Sequence, residues 1–270
     1  MKAKSFTWRV ALFVFAIFTL LGAGTATSSA AQKDKDKGKG GPQINKAEED
    51  AYKAFYAARG GSPATQVQLG EAFIMKFPMS HYLVGVYSQL TSAYYGMGNT
   101  DKMFEMGNKA LELNPDNANI LGLMAMVMSR RINAKTLDAA QQYQKAEGYA
   151  KHAIELIPTL PKPDGIDDAT FEKGKNEELS MAHSGLGLID FTFKKSYEDA
   201  VTELTQAVLL ADPPDPVDVY MLGNADVQTS RYKDAVAAYD KCVALGGQLA
   251  PICKTRDDDA KHKAETELSR

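Results

Sequence analysis

The sequence predicts an all-α fold, a right-handed α-solenoid of stacked helix-turn-helix repeats. Apolar residues recur at spacings of three and four through most of residues 44–247, which is the spacing of amphipathic helices. Proline and glycine are mostly confined to the breaks between these segments, and one helical face recurs five times. No segment shows a convincing period-two alternation of a strand. Pairs of amphipathic helices joined by tight turns are therefore the expected unit.

Residues 1–30 have the order of an export signal. Lys2, Lys4 and Arg9 precede the apolar run VALFVFAIFTLL, and small residues lead to an expected cleavage after Ala30. The apolar run is twelve residues long, short of the ~20 that a membrane-spanning helix needs. We therefore predict an exported chain, periplasmic or extracellular, with an uncleaved N-terminal anchor as the alternative.

The expected mature chain is acidic and begins with a polar tether. Removal of residues 1–30 leaves 28 basic and 34 acidic residues, a net charge of −6. This balance argues against nucleic acid as a partner. Residues 31–43 contain the run KDKDKGKGGP and offer almost no apolar side chain to bury, so they are predicted to form a flexible linker.

The repeat can be followed through its second helix, whose apolar face ends each time at a break in the pattern. In the copy that begins near Leu90, this face holds Met103, Ala110 and Leu111 and ends at Pro115. The other copies end at Pro78, Pro158, Asp212 and Gly247. Three of the four intervals between successive closing positions are longer than a helix pair without insertions needs. Insertions are therefore predicted near residues 131–138 and 158–168.

These helices resemble tetratricopeptide repeats. The best copies are YMLGNADVQTSRYKDAVAAYDKCVAL, with Leu222-Gly223 and Tyr239, and LTSAYYGMGNTDKMFEMGNKALELNP, with Tyr94 and Pro115. The resemblance covers residues 44–247, about five units, and leaves residues 248–270 as a C-terminal capping helix or tail. Two residues depart from the pattern, because an apolar or aromatic residue is expected where Asp190 and Asp226 stand.

The resemblance implies a protein-binding scaffold or adaptor whose first helices line a groove. The candidate groove residues lie one step beyond the packing face of these helices: Ser88, Ser92, Tyr95, Leu121, Ala125, Met128, Ser184, Leu188, Phe191, Tyr220, Asn224 and Val227. Chaperone-binding members hold a terminal carboxylate here with Lys, Arg and Asn, and only Asn224 matches. We therefore expect an apolar or aromatic protein segment as the partner. The alternative is that these residues are simply core.

Cys242 and Cys253 are the two cysteines, and an exported chain favours a disulfide between them. They stand on either side of the Gly246-Gly247 turn, where helices that return on each other would bring the two Cα atoms within the ~4.4–6.8 Å that the bond requires. In the alternative, Cys242 is a buried replacement for the usual alanine and Cys253 is unrelated to it.

The sequence carries no recognisable enzyme motif, and we predict no catalytic residue, cofactor or metal. It lacks the nucleophile elbow, the phosphate loop and the dinucleotide fingerprint. Its histidines are scattered, and paired carboxylates such as Glu177-Glu178 are expected on solvated faces. One rival is an extracytoplasmic metal-binding protein that uses Met124, Met126 and Met128, although methionine also fills gaps between helices. The other is an envelope assembly factor that keeps residues 10–21 in the membrane.

Overall fold

The structure, a computed structural model, describes residues 45–133 and 135–268. The predicted signal peptide (1–30) and the predicted linker (31–43) lie outside the described residues. In the described part of the chain the predicted all-α fold of helical repeats is confirmed, because its regular structure is entirely helical. The helices are α1 (Lys46–Ala57), α2 (Pro63–Lys76), α3 (Leu83–Gly96), α4 (Thr100–Leu113), α5 (Ala118–Arg131), α6 (Ala139–Leu156), α7 (Asp168–Ile189), α8 (Tyr197–Leu210), α9 (Pro216–Gln228), α10 (Tyr232–Leu245) and α11 (Ala250–Leu268).

The helices follow one another as pairs, α1–α2 to α9–α10, and α11 packs against α10. They form two compact units. The first holds the described residues up to Ala110 together with Lys162–Ile166, and the second holds Leu111–Pro161 and the described residues from Asp167 onward. None of the described helices combines the length and the hydrophobicity that crossing a bilayer requires.

The first unit is built around aromatic side chains. Phe55 of α1 and Phe73 of α2 are buried, and Tyr52 stacks on Tyr82 with ring centroids 4.0 Å apart. Tyr94 of α3 is also buried, and its hydroxyl donates a hydrogen bond to Glu71 at 2.5 Å. The amphipathic pattern of the sequence therefore translates into apolar packing with a few internal polar contacts.

The second unit packs each helix on its neighbours in the chain, from α5 to α11. Two glycines allow the helices of a pair to approach closely. A Cβ added at Gly187 would lie 2.6 Å from Leu204 of α8, and one added at Gly223 would lie 2.6 Å from the ring of Tyr239 in α10. The Leu-Gly pair that carries the sequence resemblance is thus explained by close helix packing.

The two predicted insertions fall in connections between helices. The first lies between α5 and α6, and the second is a proline-rich loop that follows a 3₁₀ turn at Ile157–Thr159. Asp167 ends this loop by capping α7, since its carboxylate accepts a hydrogen bond from the backbone N–H of Thr170 at 2.9 Å. At its other end, α7 continues into a π-helical turn at Asp190–Lys194.

A disulfide joins Cys242 of α10 to Cys253 of α11, and the two Cα atoms are 6.0 Å apart. Both residues are fully buried and pack with Val208 and Val219. The bond therefore holds the C-terminal helix on the last helix pair.

Candidate functional site

The structure separates the predicted groove residues into three groups. The first group is Ser88, Ser92 and Tyr95 of α3, in the first unit. The Ser88 hydroxyl donates to the backbone carbonyl of Val84 at 2.7 Å, and that of Ser92 donates to the carbonyl of Ser88 at 3.5 Å. Ser92 is buried and Tyr95 is half-buried. The two serines thus direct their hydroxyls to their own helix.

The second group is core. Leu121, Ala125 and Met128 of α5 are buried, as are Ser184 and Leu188 of α7. For these five residues the structure favours the alternative interpretation, in which they pack rather than face a groove. The reason is that α7 packs directly against α5, so a face one step beyond the packing face is covered as well.

Ser184 belongs to a buried polar network that spans three helices. Arg130, at the end of α5, donates to Asp215 at 2.8 Å, to Asp218 at 3.0 Å and to the Ser184 hydroxyl at 3.1 Å. Ser184 in turn donates to Asp218 at 2.6 Å, and Asp218 is only 2% exposed. These interactions connect α5 and α7 to the start of α9, which leaves no open surface at Ser184.

The third group lines a cavity in the second unit. Phe191, Tyr220, Asn224 and Val227 are half-buried and face a space of about 330 Å³. The cavity is completed by Gln228, Tyr239, Arg256, Asp259, Ala260 and Lys263. Residues from α9, α10, α11 and the π-helical turn therefore converge on one site, which is the candidate functional site.

Asn224 is held in a fixed orientation in this cavity. The Tyr239 hydroxyl donates to Asn224 Oδ1 at 2.8 Å, and burial raises the pKa of Tyr239, which keeps the hydroxyl protonated as a donor. The amide nitrogen of Asn224 contacts the sulfur of Met221 at 3.7 Å, and a thioether is a weak acceptor. The oxygen of the amide is therefore engaged, while its nitrogen keeps donor capacity.

The C-terminal helix brings charge to the cavity. Arg256 and Lys263 supply two cations, and Asp259 supplies one carboxylate, which lies 3.9 Å from the Arg256 guanidinium. Among the repeat helices, Asn224 alone matches the carboxylate-binding set. The two cations of α11 therefore make an acidic group in the partner more compatible with this cavity than the repeat helices alone indicate.

Sequence reasoning missed the α11 residues, although a signal was present. Arg256, Ala260 and Lys263 stand at i, i+4 and i+7 and so share one helical face. That spacing shows which residues of α11 act together. It does not show that this face meets α9, because the orientation of a terminal helix depends on tertiary packing.

One expectation about carboxylates is wrong. Glu178 was expected on a solvated face, but it is 3% exposed within α7, and its Oε1 accepts from Asn119 at 3.1 Å. Burial raises the pKa of Glu178 to about 8. The long helix α7 packs on α5, α6 and α8, so residues outside its main apolar stripe are also enclosed.

Potential metal ligands serve other roles in the described residues. Met124, Met126 and Met128 are buried packing residues. His183 Nδ1 lies 2.7 Å from Glu203, and His152 Nε2 lies 2.8 Å from Asp116. Among residues 45–133 and 135–268, no cluster of three or more His, Cys, Asp or Glu side chains could hold a metal ion.

Comparisons with known proteins give similarity only at the level of structure. No protein-family model and no curated protein matches the chain. Among solved structures, MamA residues 41 to the end from Desulfovibrio magneticus RS-1 is 16% identical, covers 75% of this chain and 96% of its own, and has a TM-score of 0.48. TTC0263, a thermophilic TPR protein of Thermus thermophilus, is 16% identical, covers 79% of this chain and 98% of its own, and has a TM-score of 0.44.

Proposed function

We propose that this chain is a non-catalytic protein-binding scaffold that holds a segment of a partner protein in the cavity between α9 and α11. The observation that carries the proposal is the convergence of Tyr220, Asn224 and Arg256 on one cavity. An aromatic surface, an oriented amide and a cation are the groups that bind and orient peptide segments.

The lining of the cavity indicates the chemistry of the segment. Phe191, Tyr220 and Val227 offer surface for an apolar or aromatic side chain. The amide nitrogen of Asn224 can donate to a backbone carbonyl of the segment. The two cations exceed the single carboxylate of Asp259, so a neutral or acidic segment fits better than a basic one.

Export to the cell envelope is part of the proposal. Its support is the charged, apolar and small-residue order of residues 1–30, together with the disulfide between Cys242 and Cys253. Disulfides persist in oxidising compartments outside the cytoplasm. N-terminal sequencing of the protein from its native cell tests this point, because cleavage after Ala30 would yield a mature chain beginning at Ala31.

The binding site can be tested with a selected peptide. Random dodecapeptides displayed on phage are selected against the full chain, and the affinity of the enriched peptides is measured by fluorescence anisotropy. We expect Tyr220→Ala to weaken binding at least tenfold, since aromatic anchors at the centre of an interface dominate affinity. Asn224→Ala and Arg256→Ala should each weaken it by a smaller factor.

A matched control is Tyr149→Ala. Tyr149 of α6 is half-buried like Tyr220 and packs at the edge of a core cluster, but it does not line this cavity. It should leave peptide binding unchanged. If the folded Tyr220→Ala protein binds every selected peptide as tightly as the wild type does, the cavity is not the binding site. Tyr95→Ala tests separately whether α3 of the first unit takes part in peptide binding.

A further inference from the structure

A second cavity lies between α8, α9 and α10 and shares none of the residues that line the first. It has a volume of about 300 Å³. Its apolar surface comes from Val201 and Val208 of α8 and from Val219 and Leu222 of α9. Arg231, Asp234 and Lys241 lie at its exposed edge.

Asp226 is the unusual residue in this apolar surface. It is 3% exposed, and its carboxylate makes no hydrogen bond or ion pair within the part of the chain that the structure describes. A carboxylate enclosed to this degree without a protein partner is unfavourable because it has lost most of its hydration. Such a group, facing a cavity that opens to solvent, is available to a ligand that supplies hydrogen-bond donors.

The surrounding charges favour a cation. Asp234 and Glu198 add negative potential at Asp226, whereas Arg231 adds positive potential. The Arg231 guanidinium forms an ion pair with Glu198, so its charge is already compensated. Lys241 lies at the edge of the cavity. Because Arg231 and Glu198 neutralise each other, Asp226 and Asp234 leave one negative charge in excess over Lys241, beside the aliphatic side chains of the cavity.

We propose that this second cavity binds a primary ammonium group carried on an aliphatic chain, with Asp226 as its ionic partner. The aliphatic chain would lie against Leu222, which is half-buried, and against the small exposed parts of Val201 and Val208. The ammonium would donate to Asp226 and to Asp234 at the edge. A neutral apolar ligand leaves Asp226 without a partner, and an anion is repelled by it. The proposal does not depend on the peptide site between α9 and α11.

Two sources share this chemistry, a free alkylamine and the side chain of a lysine in a partner protein. Both are tested by titrating the full chain with n-butylammonium chloride and, separately, with Nα-acetyl-lysine N-methylamide, while amide shifts are followed by NMR. Shifts around Asp226 with either probe support the site. Tighter binding of the blocked lysine indicates a protein lysine as the source, and binding of butylammonium alone indicates a free amine.

Asp226→Asn is the decisive variant, because it removes the charge and keeps the shape of the side chain. We expect it to weaken binding of both probes at least tenfold. Asp190→Asn is the matched control, since Asp190 holds the equivalent position one pair earlier but already has Lys194 as a partner at 3.1 Å. It should leave the affinity unchanged. Neutral 1-butanol should bind the wild type at least tenfold more weakly than butylammonium does.

The pH dependence gives a further criterion. Burial raises the pKa of Asp226 to about 7, with Asp234 adding to the effect. The affinity for butylammonium should therefore rise about tenfold or more between pH 5.5 and pH 8.5, as Asp226 ionises. If Asp226→Asn does not fold, Ala237→Phe obstructs the cavity from an exposed position and should abolish binding. Absence of shifts at saturating probe, or equal binding by folded Asp226→Asn, would overturn the proposal.

Discussion

The helix pairs α7–α8 and α9–α10 each have a buried aspartate at the equivalent position of the repeat, but the two aspartates lie in different environments. Asp190 stands three residues after Gly187, and Asp226 stands three residues after Gly223. Both carboxylates are buried, at 6% and 3% exposure. Asp190 has an ion pair with Lys194 at 3.1 Å, whereas Asp226 has no such partner among the described residues.

The backbone explains why only one aspartate has a lysine. The turn after Asp190 is a π-helical turn that closes with a hydrogen bond from Ser196 N–H to the Asp190 carbonyl at 2.9 Å. The turn after Asp226 closes one residue sooner, with a hydrogen bond from Arg231 N–H to the Asp226 carbonyl at 2.8 Å. The turn that is longer by one residue is thus the turn in which a lysine, Lys194, contacts the preceding aspartate, Asp190. An aspartate that replaces the expected apolar residue can thus be neutralised by a nearby lysine, as Asp190 is, or stay without an ion-pair partner among the described residues, as Asp226 does.

The disulfide is the largest difference between the two pairs. Cys242 stands seven residues after Ala235, whereas the equivalent position seven residues after Ala200 is Ala207. The bond closes a short loop, so its loss should lower the free energy of unfolding by about 2–3 kcal/mol. Urea unfolding of the wild type and of a Cys242→Ala/Cys253→Ala variant measures the change. Equal stability of the two proteins would show that packing alone holds α11.

Removal of the lysine should make the first aspartate resemble the second. In Lys194→Met the Asp190 carboxylate stays buried but loses its cation, and Glu147 loses the same partner at 2.8 Å. Together these losses should lower the free energy of unfolding by about 1–2 kcal/mol at pH 8. Burial already raises the pKa of Asp190, and Lys194 opposes that effect, so the pKa should rise further in the variant. The loss should therefore become smaller as the pH is lowered and the carboxyl takes up a proton. Lys195→Met, an adjacent residue without this contact, serves as the control.

Neutralising the second aspartate should stabilise the protein in a pH-dependent way. The pKa of Asp226 is about 7 in the folded chain and roughly 3.9 in an unfolded one, so its favourable contribution is present below pH 4 and is lost as the pH rises through 7. Asp226→Asn should therefore raise the free energy of unfolding by about 1 kcal/mol at pH 8.5 and leave it nearly unchanged at pH 4.

Asp190→Asn should gain less than Asp226→Asn at pH 8.5, because it also removes a partner of Lys194. Denaturant unfolding of both variants at the two pH values gives the comparison. Identical pH profiles for the two variants would mean that Lys194 does not distinguish the two aspartates.

The smallest expected effect comes from supplying Asp226 with an ion-pair partner of its own. Thr229 stands three residues after Asp226, and Thr229→Lys offers an ammonium on the same helical face. We expect a gain of about 0.5 kcal/mol in the free energy of unfolding at pH 8, together with weaker binding of butylammonium. Thr229→Gln, of similar length and without charge, separates the ionic effect from the loss of the threonine.

The sequence predicts most of this fold because each step is local. The recurring apolar faces and the Leu-Gly pairs place the five helix pairs, and Gly223 meets Tyr239 within a single pair. The departures at Asp190 and Asp226 are visible in the sequence as well. The sequence does not show which of these two aspartates has an ion-pair partner, because that depends on the path of the backbone several residues later.

The candidate site was only half predictable for a related reason. Tyr220 and Asn224 follow from the phase of α9, but Arg256 and Lys263 enter through the packing of α11 on α10. The same limitation applies to Ser184, which has the phase of a groove residue and the contacts of a core residue. Its partner Arg130 is 54 residues earlier in the chain, and no local pattern connects them.

The disulfide between Cys242 and Cys253 also affects how fast a peptide segment of the partner can bind. Cys253 lies in the first turn of α11, so the helix that carries Arg256 and Lys263 is in place before a segment arrives. Association should then be a single second-order step, with an observed rate that rises linearly with the concentration of the segment. Once the bond is reduced, docking of α11 becomes a separate step, and the observed rate should reach a plateau set by that motion.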